Sequence, residues 1–399
     1  MAGDPSYLNG TANLSQQVPI QTTEAEVPTY TIIQADGIYP DDAVEQAIFT
    51  ANPPHPYKLN YVSTGLFPTG APLPKPWSAI PKDLRDRVDG IMVLKMGFTA
   101  QDVELFPRLK VEDFFFRDGL NAYTDGGLIA GSIVRMGVGY DRLDRVALAK
   151  KGVTVCNVPD YGTAEIADHA LALALSLRRG VLLHHDRQRQ PYVYPWMYID
   201  SPLVSRIQQG AIFGILGLGR IGTAACLRAK AFGWNVLFYD PYLPNGVDKS
   251  LGIERTKDIR ELFSRSTNLS IHCACTRETR GMIGWDLLKL MPQGAVLVNT
   301  ARGEVLQLDA VERALREGIL AGAGLDVLPE EPIPEHNVHP LIKAYREKEE
   351  WLLGRMVLTC HTAFYSPQSF VDIRVKSAQT MREVLIDGLQ SNVITPDML

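Results

Sequence analysis

The fold is narrowed first by one run, Phe213-Gly-Ile-Leu-Gly-Leu-Gly-Arg-Ile-Gly222. An apolar segment of strand length enters a Gly-x-Gly-x-x-Gly spacing directly, and a helix-forming stretch, Ile221–Phe232, follows. Gly217 permits a tight turn, Gly219 lets backbone approach a pyrophosphate, and Gly222 lets the helix pack on the strand. The first N–H groups of that helix and its positive dipole end then face the phosphates, with Arg220 beside them. The next strand, Val236–Tyr239, ends at Asp240, 23 residues beyond Gly217. A carboxylate there accepts hydrogen bonds from a ribose diol. It also repels a 2′-phosphate, and Pro241-Tyr242 offers no arginine to receive one, so NAD is expected over NADP.

From Ala211 onward the pattern alternates. Strands are expected at Ala211–Leu216, Asn235–Tyr239, Leu269–Cys273, Ala295–Asn299, Gly322–Leu325 and Met356–Cys360, with helices centred near 225, 260, 287 and 313. Alternation of this kind implies an α/β fold with a parallel, doubly wound sheet. A length of 399 residues exceeds one ordinary core and implies two domains. Upstream, strands are expected at Thr29–Gln34, Gly90–Leu94 and Gly152–Asn157. Thr99 caps a short helix, and Thr163 caps an amphipathic one that reaches Arg178. The proline density of residues 52–81 excludes regular helix. Residues 1–28, rich in Ser, Thr, Gln and Asn, are expected to be disordered. Leu109–Val111 reads as the start of a strand that Ile133–Met136 continues. The intervening 112–132 is then an atypical insertion, either a surface loop or sequence retained from an unspliced intron, and the reading leans to the intron.

Apolar residues make up 46% of the chain and the net charge is −5, which argues against a whole-protein attraction to nucleic acid or to an anionic membrane. Arginines 178, 179, 187 and 189 read as a solvated helix end and loop, with His184 and His185 in the same loop. Five cysteines without a Cys-x-x-Cys pair imply reduced thiols and no zinc site. No signal peptide and no membrane span is legible, so a cytoplasmic, or alternatively nuclear, location is expected.

Three residues downstream of the fingerprint carry the chemistry. Arg302 lies in Asn299-Thr-Ala-Arg-Gly303, just past a strand, where ligands bind in open sheets. Its planar fork can hold a carboxylate or a keto oxygen with two hydrogen bonds. His361 ends the last strand and can give or take a proton near neutrality. Glu331 can hydrogen-bond that imidazole, favour its charged form and fix its orientation. Together they suit the interconversion of a 2-keto acid and a 2-hydroxy acid. Asp326, in Gly324-Leu-Asp-Val327, is a candidate acceptor for a nicotinamide carboxamide. Ile221, Cys273, Thr300 and Ala301 are further candidate cofactor contacts.

With these residues in place, the chain resembles the D-isomer-specific 2-hydroxyacid dehydrogenases. The resemblance rests on Gly137-Val-Gly-Tyr-Asp141, the glycine fingerprint, Asn299–Gly303, Gly324–Val327 with Glu331-Pro332, and His361. Within that family it is most similar to the C-terminal-binding proteins, NAD(H)-dependent corepressors, through Arg228–Tyr242 and Ala363-Phe-Tyr-Ser366. The resemblance implies two Rossmann-like domains with the cofactor in the cleft between them: a substrate-binding domain over 29–158, an NAD-binding domain over 159–372, and a return to the first domain over 373–399. It implies a homodimer built around 164–205, and transcription-factor partners if the corepressor role holds. It also implies backbone N–H groups near Met96 and Val138 that hold the substrate carboxylate. The chain departs from the family in having Cys360 before the histidine instead of proline. It departs from the corepressors in having Phe364 where they have tryptophan.

Overall fold

The computed structural model describes residues 27–37, 39–68, 71, 73–110, 115–117, 121–123, 131–189, 196–208 and 210–396. The expected disordered tail, apart from 27 and 28, lies outside them, as does most of the 112–132 insertion.

Two parallel sheets form the scaffold. The first contains β1 (Thr29–Gln34), β2 (Lys58–Ser63), β3 (Gly90–Val93), β6 (Ser132–Arg135) and β7 (Thr154–Asn157), in the order β2-β1-β3-β6-β7. Between β3 and β6 a small antiparallel pair intervenes, β4 (Phe115–Arg117) with β5 (Asn121–Tyr123). The second sheet contains β8 (Ile212–Leu216), β9 (Asn235–Tyr239), β10 (Glu254–Arg255), β11 (Asn268–Ile271), β12 (Ala295–Asn299), β13 (Leu320–Leu325) and β14 (Met356–Leu358). Its order is β10-β9-β8-β11-β12-β13-β14. The chain enters at β8, runs outward through β9 and β10, and returns to β11 on the other side of β8. The order therefore reverses between β8 and β11, and the crevice outside their carboxyl ends is where ligands bind in such sheets.

Burial explains the two-sided coverage. β11, β12 and β13 are buried along their whole length, as continuous apolar strands with helices on both faces should be. Helix Thr163–Arg178 covers one face of the second sheet together with helix Arg220–Ala231, while Leu308–Arg316 packs on the other. The long helix Pro367–Leu385 is capped by Ser366 and returns to the first sheet, where Ile373, Met381 and Leu385 join Met92 and Val134 in one core. Buried Arg374 ties it to Glu45 of the first domain at 2.6 Å.

Several local expectations change. β2 was hidden by prolines: Pro53, Pro54 and Pro56 precede it and Pro68 follows it, and its six residues lie in the proline-free stretch between them. Leu109 ends a 3-10 turn, Pro107–Leu109, and starts no strand. Gly131 backs directly onto Leu109, so the chain leaves and re-enters the sheet at one point. Thr163 is the first helical residue and Gly162 the cap. His184 and His185 lie in a helix, Val181–Gln188, not in a loop. Arg178 is buried, not solvated. It reaches Asn268, Ser205 and the carbonyls of Thr267 and Gly294, and burial pulls its guanidinium down to about 10. Among the described residues, no helix is long and apolar enough to cross a membrane, and no cluster suits a metal ion.

Candidate active site

A cleft of about 240 Å³ opens between the carboxyl ends of the two sheets. The glycine turn leads into the helix whose first residues line this cleft. Gly217 has φ +88, a left-handed conformation that favours glycine, and a side chain at Gly222 would strike the Gly217 carbonyl. A side chain at Gly219 would meet nothing within 4 Å, so the backbone there lies open to an approaching group. Arg220 and Ile221 begin the following helix and line the cleft. Asp240 stands just past β9, with one carboxylate oxygen on the N–H of Leu218 (2.9 Å) and the other on that of Tyr242 (3.0 Å). Cys273, Thr300 and Ala301 form one wall, and the buried hydroxyl of Thr300 has no hydrogen-bond partner among the described residues. An open glycine backbone at a helix N-terminus, a fixed acid at the next strand end and an orphaned buried hydroxyl all fit a dinucleotide.

The three residues singled out for chemistry converge at the other end. His361 Nδ1 lies 2.6 Å from Glu331 Oε2, although 30 residues separate them. Glu331 also accepts from the Leu328 N–H at 2.8 Å. Burial would raise its carboxyl, but the His361 hydrogen bond and charge outweigh it and hold the group below the usual range. His361 itself has φ +55, strained for a residue with a side chain. Arg302 lines the same cleft, with Nε donating to Asp141 Oδ1 (2.9 Å) and Nη1 to the Ala301 carbonyl (2.8 Å). His272 lines the cleft too, but burial pushes it down to about 4, which disfavours the imidazolium form a general acid needs. Of the two imidazoles, His361 is the one with a carboxylate at hydrogen-bonding distance.

Residues 171–363 match the D-isomer specific 2-hydroxyacid dehydrogenase, NAD binding domain. A glyoxylate reductase from Korarchaeum cryptofilum is 36% identical over 67% of this chain and 75% of its own. The chain belongs to the D-isomer-specific 2-hydroxyacid dehydrogenase family. C-terminal-binding protein 1 of Caenorhabditis elegans is 30% identical over 76% of this chain, but the match spans only 38% of that protein's length. Among solved structures, a D-lactate dehydrogenase from Aquifex aeolicus, complexed with NAD and lactic acid, is similar with a TM-score of 0.67 and 25% identity. It covers 92% of this chain and 100% of its own. An NADPH-dependent glyoxylate/hydroxypyruvate reductase from Sinorhizobium meliloti has a TM-score of 0.69 at 23% identity, over 92% and 96% of the two chains, and shares the fold. The expected pair of parallel-sheet domains and the NAD-binding domain are thus both established.

The cleft also holds residues that no sequence motif marks for a role. Asp141, quoted only as part of a motif, is the partner of Arg302. Burial would raise its carboxyl, but the guanidinium's charge and hydrogen bond prevail and lower it. Arg135 was not singled out at all, because an arginine ending an ordinary strand carries no signal. It lines the cleft, donates to the Met136 carbonyl (3.0 Å) and pairs with the Tyr161 hydroxyl. Burial, and then the Arg302 charge, pull its guanidinium below the ordinary arginine range. Among the described residues no carboxylate forms an ion pair with it. The Gly137-Val-Gly139 pair has a steric reason: a side chain at Gly137 would strike Arg135, and one at Gly139 would strike Arg302.

Two expectations are altered. Val138 does line the cleft, with its carbonyl taken by Asn157 at 2.7 Å, but Met96 does not. The Met96 N–H is 2.6 Å from Asp36 Oδ2, which also takes the N–H of Lys95, so it is not available to a substrate carboxylate. Asp326 lines the cleft but is already engaged. It accepts from the Thr359 hydroxyl (2.5 Å) and from the N–H groups of Thr362 and Ala363 (both 2.9 Å).

Proposed function

We propose that the chain is an NAD(H)-dependent oxidoreductase that interconverts a small 2-keto acid and its D-2-hydroxy acid. The observation that carries this reading is the 2.6 Å bond from His361 Nδ1 to Glu331, in a cleft whose far wall presents Arg302. A nicotinamide, when bound, supplies or accepts the hydride at the substrate carbon. The residues of the chain do the rest. Arg302 keeps its Nη2 edge for the substrate, since Asp141 and the Ala301 carbonyl hold the other two nitrogens and fix the plane of the fork. Arg135 adds a second guanidinium that, among the described residues, lacks a carboxylate partner, so an anion placed there relieves a buried charge. With Nδ1–H on Glu331, His361 in its charged form can donate from Nε2 to the oxygen of the carbonyl being reduced. In the reverse direction the neutral ring takes that proton back. Gly217, Gly219 and Gly222, Arg220 and Ile221 are assigned to the pyrophosphate, Asp240 to the adenosine ribose, and Cys273, Thr300 and Ala301 to the nicotinamide side. The domain division at 29–158, 159–372 and 373–399 accompanies the assignment. Purified protein with NADH and a panel of 2-keto acids should lose absorbance at 340 nm, and Arg302→Ala should abolish most of that loss. A flat trace across the panel defeats the reading.

A corepressor-like scaffold responding to NAD(H) is the second reading. Besides the similarity to C-terminal-binding protein 1, a groove on the first domain supports it. Edge strand β2 and β1 contribute Asn60, Val62, Thr29 and Thr31 to this groove, and Arg87 and Arg108 flank it. A free strand edge beside a groove can take an extended peptide as an added strand. Pull-down of such partner peptides, with and without NADH, separates the readings. A homodimer accompanies either one: Trp196, Met197 and Tyr198 stand exposed in the expected arm, which favours burial against a second copy. A cytoplasmic location goes with the enzyme, and a nuclear one with the scaffold.

A further inference from the structure

The turn that presents His361 is wrapped around one buried carboxylate. Asp326 accepts from Thr362 N–H and Ala363 N–H, and its backbone carbonyl accepts from the His361 N–H at 2.8 Å. His361 is thereby held at φ +55, a backbone conformation it would leave if the turn relaxed. Asp326 is in turn held from behind. Thr359 Oγ1 lies 2.5 Å from Asp326 Oδ1, and His169 Nε2 lies 3.1 Å from the same hydroxyl. The direction of these bonds follows from proton count. A carboxylate only accepts, so the single Thr359 proton goes to Asp326. Thr359 Oγ1 must then accept from His169, which places a proton on Nε2 of that ring. His169 belongs to helix Thr163–Arg178, the first helix after the last strand of the first sheet.

We propose that His169 and Thr359 are positioning residues for His361: a fixed donor on the helix entering the second domain, relayed through one hydroxyl, locks the carboxylate around which the His361 turn is built. The inference rests on the reading of His361 as the proton donor. Neither residue needs to touch substrate. Their effect is to keep the imidazole at the geometry in which Nδ1 meets Glu331, leaving Nε2 for the cleft.

The test uses the full chain and four variants. His169→Leu and Thr359→Val remove the relay. His169→Gln keeps a donor where Nε2 stood, and Thr359→Ser keeps the hydroxyl. Two quantities are read. The first is kcat and KM for keto-acid reduction. The second, independent of turnover, is the downfield proton resonance of the His361–Glu331 hydrogen bond, assigned by its loss in Glu331→Gln. His169→Leu and Thr359→Val should lower kcat about tenfold to a hundredfold, as misplacement of a reacting group does, with the KM for NADH little changed. They should also lose the resonance, and His169→Gln and Thr359→Ser should recover both. Retention of kcat and resonance in His169→Leu overturns the proposal. So does loss that His169→Gln fails to recover, because side-chain packing and not the donor would then be responsible. If the wild-type chain reduces no keto acid, the proposed reaction fails, and the resonance in the four variants still decides the positioning role.

Discussion

Asp141 and Arg302 lie 161 residues apart in the sequence, on loops that follow the two different sheets, and their side chains meet at 2.9 Å across the cleft. The pair is well shielded, and the guanidinium charge outweighs burial to keep the carboxylate ionised. The consequence is geometric: with Nε fixed, only the remaining edge of the fork can address a ligand. Asp141→Asn keeps the size and removes the charge. It should lower kcat/KM for keto-acid reduction by about tenfold to a hundredfold, since leaving one partner of a shielded pair unsatisfied costs on the order of 1–3 kcal/mol. NADH affinity, followed by fluorescence quenching, should stay near the wild-type value. An Asp141→Asn protein with unchanged kcat/KM removes the fork-fixing role.

How much of this was legible beforehand depended on whether a signal was local. The glycine fingerprint, Asp240 and the alternation from β8 to β13 each sit within a few residues of their partners, and spacing alone exposed them. The triplet of Arg302, Glu331 and His361 was recognisable by residue type next to that fingerprint. Arg135 and Asp141 were not, because their roles exist only when the first sheet is folded against the second. Met96 was placed by resemblance alone, and nothing local revealed that Asp36 would take its N–H. β2 was masked by its prolines, and the burial of Arg178 by its position in a run of charges. In each case the deciding contact came from a segment far away in sequence.

Arg135 is a buried guanidinium of the cleft that, among the described residues, has no carboxylate in an ion pair with it. Arg135→Gln keeps the hydrogen-bonding edge and removes the charge. If an anionic substrate supplies the missing counter-charge, KM for the keto acid should rise about tenfold to a hundredfold, while kcat changes less. Thermal stability should not fall and is expected to rise slightly, because a desolvated charge has been removed. Steady-state kinetics and a melting curve on the same preparation check both halves. A fall in kcat with unchanged KM contradicts the assignment.

Asp240 predicts the choice of cofactor. Its carboxylate is fixed by the Leu218 and Tyr242 N–H groups at the point where an adenosine ribose sits in such sheets. Asp240→Ser removes the charge that repels a 2′-phosphate. The ratio of kcat/KM for NADH over NADPH should therefore fall by about tenfold or more, chiefly through weaker NADH binding. Equal use of NADH and NADPH by the wild-type protein contradicts the role given to this residue.

Glu331 gives a dependence on pH whose sign is fixed by its environment. Its carboxyl is held below the usual range, because the His361 hydrogen bond and charge overcome the opposing effect of burial. A group whose folded value is depressed stabilises the fold fully above its unfolded value, about 4.3 for glutamate, and that contribution is lost as pH falls through the lower folded value. Glu331→Gln should therefore unfold at lower urea than wild type at pH 7, and the difference should shrink as the pH is taken from 5 to below 3. The same substitution should slow reduction at neutral pH by about a hundredfold, within the range for disabling a general acid, because the imidazole loses the carboxylate that orients its ring. Urea midpoints that differ by the same amount at both ends of the pH range would mean that the carboxylate's charge contributes nothing, and that Glu331 serves only as a shape beside His361.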